Sequence, residues 1–155
     1  MHVDAIPSDA LTREKVIGIM VQRFGDQFTT AEAIRERHGK GESYHSVASP
    51  DGVFFAKSTE DVAEVVKICA DHKFPIVPFG VGTSLEGNIA ALKGGICVDL
   101  SMMNEILEVN EEDLDVKVQA GVTRKQLNDF LRDTGVFFPI DPGADASMGP
   151  NAAPR

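Results

Sequence analysis

Hydrophobic positions recur at two spacings along this chain, and the alternation between them predicts its secondary structure. Near the N-terminus, apolar residues at helical spacing predict a helix from Ser8 to about Gln22, with Ser8 placed to cap it. A second, more polar helix is expected from Thr29 or Thr30 to Gly39. The polar, glycine-containing stretch that follows predicts a loop.

The middle of the chain combines strand and helix patterns. Val53–Ala56 reads as a short strand, and the pair Ser58 and Asp61 resembles a capping box at the start of an amphipathic helix. The apolar stripe of that helix is Val62, Val65, Val66 and Cys69. The run PIVPF predicts a second strand and Gly95–Leu100 a third. A strand, a crossover helix and a strand of these lengths predict a right-handed parallel unit.

The C-terminal third predicts two more strands, EILEVN and DVKVQAG, on either side of an acidic turn. Thr123 and Gln126 form a second capping box, and Gly135 closes the helix that follows. Its apolar face is expected to be Leu127, Phe130 and Leu131. The run VFFPI then predicts another strand. The fold class is therefore α+β, with a mixed sheet and flanking helices.

Composition supports one globular domain, because 43% of the 155 residues are hydrophobic and 25% are charged. A chain of this length needs no disulfide to fold, and Cys69 and Cys97 are expected to be buried packing thiols. Phenylalanines expected in the core are Phe54, Phe55, Phe79, Phe137 and Phe138. We place an N-terminal helical extension at residues 1–46 and the main domain at residues 47–155.

Charge and hydropathy limit the kinds of binding partner and the cellular location that the sequence predicts. The formal net charge of -9 disfavours a general nucleic-acid surface. No apolar run approaches the roughly 20 residues of a membrane span, so no transmembrane segment is expected. The N-terminus also lacks the order of a secretory signal, so we expect a cytoplasmic, reducing location.

The segment GVGTSLEGN, Gly80 to Asn88, carries the clearest chemical signal. Three glycines and two hydroxyls in nine residues can turn backbone N–H groups inward and hold phosphate oxygens without a basic side chain. Two familiar phosphate motifs fail here, since Leu85 stands where a dinucleotide fingerprint needs glycine, and Asn88 and Ile89 replace the Lys and Ser/Thr of a P-loop. From spacing alone, a phosphate cradle and a tight structural loop both remain open.

The longer string PIVPFGVGTSLEGN resembles the pyrophosphate loop of the FAD-binding domain in the vanillyl-alcohol oxidase (PCMH-type) superfamily. SPDGVFFAKSTEDVAEVVKIC before it, GGICVDLSMMNEILEVNEEDLDVKVQAGVT after it, GESYH and FFPIDPGADASMG resemble its FAD-linked D-lactate dehydrogenase and glycolate oxidase flavin-subunit branch. The resemblance runs from about Gly41 to Gly149. It implies the first half of a PCMH-type FAD-binding domain, preceded by the N-terminal helical segment.

The resemblance also implies cofactor-binding residues in two segments. Those implied around the FAD pyrophosphate are Pro78, Gly80, Val81, Gly82, Thr83, Ser84 and Leu85, with Gly87 and Asn88 closing the loop. Those implied beside the flavin and its ribityl-phosphate chain are Asp141, Pro142, Gly143, Ala146, Ser147 and Gly149. Gly121 is a further candidate for that neighbourhood, and Glu86 is given a structural role.

Some members of the superfamily attach FAD covalently through a histidine in or just after the loop. No histidine lies between Pro78 and Gly95, so we expect noncovalent FAD. His2, His38 and His45 precede the main domain, and His72 is expected to be solvated or to complement a helix dipole. A metal site built from these scattered histidines is not expected.

The resemblance implies the FAD-binding portion of an oxidoreductase that oxidises a D-2-hydroxy acid such as D-lactate or glycolate. The family continues past Gly149 with a second glycine, where this chain has Pro150, and then with the rest of the FAD domain and a substrate domain. We therefore expect a truncated, degraded or separately encoded piece, with no identifiable catalytic residue and with weak or absent turnover. Its partner would be the missing half or a second copy. The alternative is a noncatalytic module that retains the fold but has lost FAD and acts as an interaction or structural unit.

Overall fold

The computed structural model describes residues 10–140 and 143–149 of the chain. Its helices are α1 (Ala10–Phe24), α2 (Glu32–Gly39), α3 (Thr59–Asp71) and α4 (Arg124–Leu131), with a 3-10 turn at Gly25–Gln27. Its strands are β1 (Phe28–Thr29), β2 (Gly52–Phe55), β3 (Ile76–Phe79), β4 (Ile96–Asp99), β5 (Ile106–Asn110) and β6 (Asp115–Val118). None of the helices in the described ranges is both long enough and apolar enough to cross a membrane.

The main sheet has the strand order β1-β2-β4-β3. Strands β2 and β3 both run parallel to β4, whereas β1 pairs antiparallel with β2. The predicted α+β class with a mixed sheet is therefore confirmed. Strand β4 lies between two parallel neighbours, and all four of its residues are buried. This position explains why GICVDL is a nearly continuous apolar run rather than an alternating one.

The second predicted helix begins later than expected. Phe28 and Thr29 form β1, and the Thr29 hydroxyl accepts a hydrogen bond from the Ala31 N–H at 3.1 Å before α2 starts at Glu32. The sequence pattern missed this because a two-residue strand has no periodicity. The predicted cap Ser8 of the first helix lies outside the described residues.

The crossover helix α3 confirms its predicted cap, since the Ser58 hydroxyl accepts the Asp61 N–H at 3.1 Å. Val65 and Cys69 are fully buried, but Val66 is 44% exposed, so its place in the apolar stripe was wrong. Each residue turns a helix by about 100°, which carries Val66 away from the sheet that Val65 contacts. Cys69 and Cys97 are both buried free thiols, as expected. Burial raises the pKa of Cys69 to about 11 and that of Cys97 to about 12, so neither is a reactive thiol at neutral pH.

A second apolar cluster joins α4 to the antiparallel β5–β6 hairpin. The Thr123 hydroxyl accepts the Gln126 N–H at 3.2 Å, which confirms the second predicted cap. Leu127 and Leu131 are buried, but Phe130 is 59% exposed and does not belong to the predicted apolar face.

The predicted strand VFFPI is wrong, because residues 136–140 form no strand. The Asn128 side chain takes the place of a neighbouring strand. Its Oδ1 accepts the Phe138 N–H at 2.7 Å and its Nδ2 donates to the Phe138 carbonyl at 3.2 Å. Phe138 packs against the second cluster, whereas Phe137 is 73% exposed and is not a core residue.

Residues before the main domain share its core. Val16 and Met20 of α1 belong to the same apolar cluster as Phe54 and Ile96. The Arg13 guanidinium also pairs with the Asp51 carboxylate at 3.0 Å. These contacts place α1 against the sheet, and the boundary at residues 46 and 47 stays a prediction.

The two phenylalanines that differ most in burial test this packing. Phe54 is fully buried, so Phe54→Ala should lower the free energy of unfolding by about 3 to 5 kcal/mol in urea titration. Phe137→Ala removes the same atoms from an exposed position and should change it by less than about 0.5 kcal/mol. Equal effects of the two variants would contradict the described core.

Candidate functional site

A cavity of about 880 Å³ opens where strands β3 and β4 end. The carboxyl ends of parallel strands are the usual place for ligands in sheets of this kind. The loop after β3 forms one wall through Gly80, Val81 and Gly82, and α2 forms the opposite wall. The cavity therefore lies beside the segment in which the sequence predicts a phosphate cradle.

Most backbone N–H groups of the loop Gly80 to Asn88 form no hydrogen bond among the described residues. The N–H groups of residues 80–85 donate no hydrogen bond to any other residue in the described ranges. Within the loop, the Ser84 hydroxyl accepts the Glu86 N–H at 3.3 Å and so closes the turn internally. Unpaired N–H groups beside a concave surface are the arrangement that binds phosphate oxygens.

Glycine is required at two points of this loop. Gly82 has φ +73°, and a Cβ there would lie 3.0 Å from the Phe79 ring, so the turn rests directly on that ring. Gly87 has φ +79°, and a Cβ there would lie 2.6 Å from the His45 imidazole. The GESYH segment therefore packs against the far end of the loop, although the sequence argument placed His45 outside the domain.

The other predicted loop residues differ in exposure. Ser84 and Gly87 are half-buried, whereas four side chains are exposed, those of Pro78, Thr83, Leu85 and Asn88. Val81 is exposed by 36% although it lines the cavity. Only the first turn of the loop, Gly80 to Gly82, therefore reaches the cavity wall.

The second predicted segment lies elsewhere in the described structure. Residues 146–149 pair with residues 120–124, with Met148 N–H donating to the Val122 carbonyl at 2.7 Å and Gly149 N–H to the Ala120 carbonyl at 2.9 Å. Ala146 and Ser147 are buried there, Gly149 is half-buried and Gly143 is exposed. Asp141 and Pro142 lie outside the described residues. Among the residues that the structure describes, none of this segment lines the cavity.

Gly121 has a packing reason to be glycine. A Cβ there would overlap the carbonyl oxygens of Leu100 and Met103, and the Gly121 N–H donates to Met103 at 2.8 Å. The chain after β4 and the turn after β6 therefore touch through backbone atoms. This close approach accounts for the glycine without a cofactor.

A buried ion pair that no sequence pattern predicts lies in the wall of the cavity. His38, on α2, and Asp99, the last residue of β4, are 5% and 4% exposed. His38 Nε2 lies 2.8 Å from Asp99 Oδ2, and His38 Nδ1 donates to the Ile34 carbonyl at 2.8 Å. The only signal in the sequence was an aspartate at the end of the apolar strand GICVDL, which gave no indication of its distant partner.

The surroundings of both side chains favour the charged form of the pair. Burial by itself lowers the pKa of His38, but the hydrogen bonds to Asp99 and to the Ile34 carbonyl outweigh it, and the net result is a raised pKa. Burial likewise raises the pKa of Asp99, but the hydrogen bonds from His38 and Ser101 outweigh it, and that pKa is lowered. Both ring nitrogens of His38 face acceptors, which fits an imidazolium that donates from both.

Other charged side chains give the cavity a positive balance. Arg37 and Lys40 line it together with Glu36. With His38 protonated, the lining carries three positive and two negative groups, although the whole chain has a net charge of -9. The pattern of free amides, concavity and local positive charge fits a diphosphate.

In the described ranges, no group of three or more His, Cys, Asp or Glu residues is placed to hold a metal ion.

Similarity to known proteins agrees with this geometry. A family model described as an FAD binding domain matches residues 50–152. The chain belongs to this family. A solved alkyldihydroxyacetonephosphate synthase has the same fold, with a TM-score of 0.78 over 88% of this chain and 30% of that chain, at 22% identity. The resemblance to PCMH-type FAD-binding domains is thereby confirmed.

Named relatives of this FAD-binding domain are D-lactate dehydrogenases. A probable mitochondrial D-lactate dehydrogenase from Danio rerio is 48% identical over 87% of this chain and 27% of its own length. The mitochondrial D-lactate dehydrogenase [cytochrome] of Arabidopsis thaliana is 40% identical over 97% of this chain and 26% of its own length. The chain thus spans about a quarter of the length of these relatives.

The account of Gly121 yields a stability test. Gly121→Ala should lower the free energy of unfolding by about 1 to 3 kcal/mol, because two carbonyl groups must move. Gly18→Ala, on the exposed side of α1 with open space around it, should raise stability by about 0.5 to 1 kcal/mol. Unfolding in urea measures both, and an unchanged stability of the Gly121 variant would show that the backbone approach is not as described.

Proposed function

We propose that this chain binds FAD noncovalently and that the cavity between the loop and α2 receives its diphosphate. The observation that carries the proposal is the cavity lined by Gly80, Val81 and Gly82, whose N–H groups have no hydrogen-bond partner among the described residues, with Arg37 and Lys40 on the opposite wall. Hydrogen bonds from neutral N–H groups to charged oxygens are among the stronger ones in proteins. The membership in a family described as an FAD binding domain supports the choice of ligand.

The proposed contacts follow the two segments of the resemblance. At the diphosphate we place the backbone of Gly80, Val81, Gly82, Thr83, Ser84 and Leu85, with Pro78, Gly87 and Asn88 shaping the loop. Beside the flavin we place Asp141, Pro142, Gly143, Ala146, Ser147 and Gly149. The loop itself holds no histidine, so the proposal is noncovalent binding. His45 lies against Gly87 of the loop and is therefore the histidine to check for a covalent link. After FAD binding and denaturation, the His45 peptide should have its unmodified mass.

The proposed activity of the whole protein is oxidation of a D-2-hydroxy acid such as D-lactate or glycolate. When bound, FAD would supply the two-electron redox chemistry of this oxidation, with a separate acceptor taking the electrons. The names of the two relatives support the substrate class. The residues of this chain bind and orient FAD, and we assign none of them to proton transfer.

The cytoplasmic location stays a prediction, and fractionation of the source cells would test it against the mitochondrial location in the relatives' names.

A visible absorption titration with FAD tests the binding proposal. The wild-type chain should retain FAD through gel filtration, with the flavin bands shifted from those of free FAD. Gly82→Ala should weaken binding by about tenfold or more, because it strains φ +73° and displaces the N–H groups from the Phe79 ring.

Gly135→Ala is the matched control for this titration. Gly135 has φ +85° and open space around it, so the substitution carries the same backbone strain at a site that is not part of the cavity. It should lower stability without changing FAD affinity. If the wild-type chain fails to bind at saturating FAD, the proposal is wrong and the noncatalytic alternative takes its place.

Exposed apolar side chains support a partner that covers the C-terminal side. Phe130, Phe137 and Ile140 are 59%, 73% and 51% exposed. We propose that the remaining half of the FAD domain or a second copy of the chain packs there. The chain alone should then self-associate in light scattering and show little or no D-lactate oxidation in a dye-reduction assay. A monomer with normal turnover would contradict both expectations.

A further inference from the structure

We propose that His38 is a positioning residue for the phosphate loop, because its buried pair with Asp99 fixes the Phe79 ring on which the turn at Gly82 rests. The inference rests on the proposed function, since it concerns the same loop and the same cavity. It assigns a role to α2, which lies before the segment matched by the family model at residues 50–152. The role is mechanical, and we place no contact between His38 and FAD.

The first step is the attachment of α2 to the end of the sheet. His38 and Asp99 are 61 positions apart in sequence, yet their side chains meet at 2.8 Å in a nearly water-free position. The second oxygen of Asp99 accepts the Ser101 N–H at 2.7 Å, so the carboxylate cannot rotate freely. A hydrogen-bonded pair of opposite charges in a buried site has a defined geometry, because any other arrangement leaves a charge without a partner.

The second step is the contact between His38 and the base of the loop. The His38 ring lies 4.5 Å from the Phe79 ring, centroid to centroid, at an interplanar angle of 49°. The His38 and Phe55 rings form a T-shaped pair, with centroids 5.8 Å apart and an interplanar angle of 81°. The position of the imidazole therefore limits where the Phe79 ring can lie.

The third step leads from Phe79 to the N–H groups. The ring is 3.0 Å from the place of a Cβ on Gly82, so the turn lies in direct contact with it. Within the described residues, hydrogen bonds do not hold the amides of residues 80–85, and the nearest side chain to Gly82 is the Phe79 ring. Loss of the ion pair should therefore loosen the loop before FAD is added.

His72 provides a matched control within the same chain. It follows the last residue of α3, and its Nδ1 donates to the Ile68 carbonyl four residues earlier at 2.9 Å, as His38 does with Ile34. No carboxylate lies on the other side of the His72 ring among the described residues. If His38 acted only by closing the end of its helix, substitution of either histidine would have the same effect on the loop.

The experiment compares His38→Gln and His72→Gln in the full chain. The first readout is the ¹⁵N order parameter of the Gly80, Val81 and Gly82 amides without cofactor, and the second is the FAD dissociation constant. His38→Gln should lower the order parameters from about 0.85 toward 0.6 and weaken FAD binding about tenfold. His72→Gln should change neither. Unchanged amides and affinity in His38→Gln would overturn the proposal.

Titration of the wild-type chain gives a second test that needs no substitution. The groups that face His38 are Asp99 from β4, which favours its charge, and Arg37 on α2, which opposes it. Because the pKa of His38 is raised, its contribution is complete below the ordinary value of 6.5 and is lost only as pH rises through the higher folded value. The loop order parameters should fall in that same range, together with the imidazole signals of His38. A loop whose order does not follow the His38 titration would overturn the proposal even if His38→Gln did not fold.

The two readouts separate this inference from the proposed function. If the wild-type chain binds no FAD but His38→Gln still loosens the amides, the FAD assignment fails and the positioning role stands. If FAD binds equally to both proteins and the amides stay ordered, the positioning role fails and the FAD assignment stands. Asp99→Asn should reproduce the loss seen in His38→Gln, since it removes the charge that fixes the imidazole.

Discussion

The account depends on one constraint, which is that a row of backbone N–H groups must remain without partners inside a folded chain. Folding normally pairs such donors, because a buried N–H without a hydrogen bond is costly. Here the amides of residues 80–85 have no partner among the described residues, and Gly80, Val81 and Gly82 line a cavity that an anion can enter. Their orientation depends on the parallel strands β3 and β4, on the glycine at position 82 and on the Phe79 ring beneath it.

Electrostatics explains why a protein with a net charge of -9 can still hold a diphosphate. Amide dipoles act over short distances and carry no net charge, so the field of the whole chain does not prevent their use. Arg37 and Lys40 add positive charge on the opposite wall. These groups lie at the C-terminal end of α2, within the predicted N-terminal extension, so the sequence predicts backbone donors alone at this site.

Much of the fold could be predicted because its signals were local. The capping pairs Ser58–Asp61 and Thr123–Gln126 and the apolar run of β4 were recognised from neighbouring residues. The errors have long-range causes. In VFFPI the Asn128 side chain, and not a neighbouring strand, binds both backbone groups of Phe138. Val66 and Phe130 are exposed because the helices turn them away from the core. The pairing of His38 with Asp99 spans 61 positions, and no local pattern predicts it. The full set of predicted cofactor residues stays a prediction, since only Gly80, Val81 and Gly82 line the cavity.

The most direct test of the central claim is an amide chemical-shift titration of the ¹⁵N-labelled chain with ADP, which carries the adenosine diphosphate portion of FAD without the flavin. The account predicts saturable shifts concentrated in the amides of residues 80–85 and weaker shifts in α2, all suppressed by excess pyrophosphate. Saturable shifts located in another part of the chain, with the amides of residues 80–85 unmoved, would contradict it.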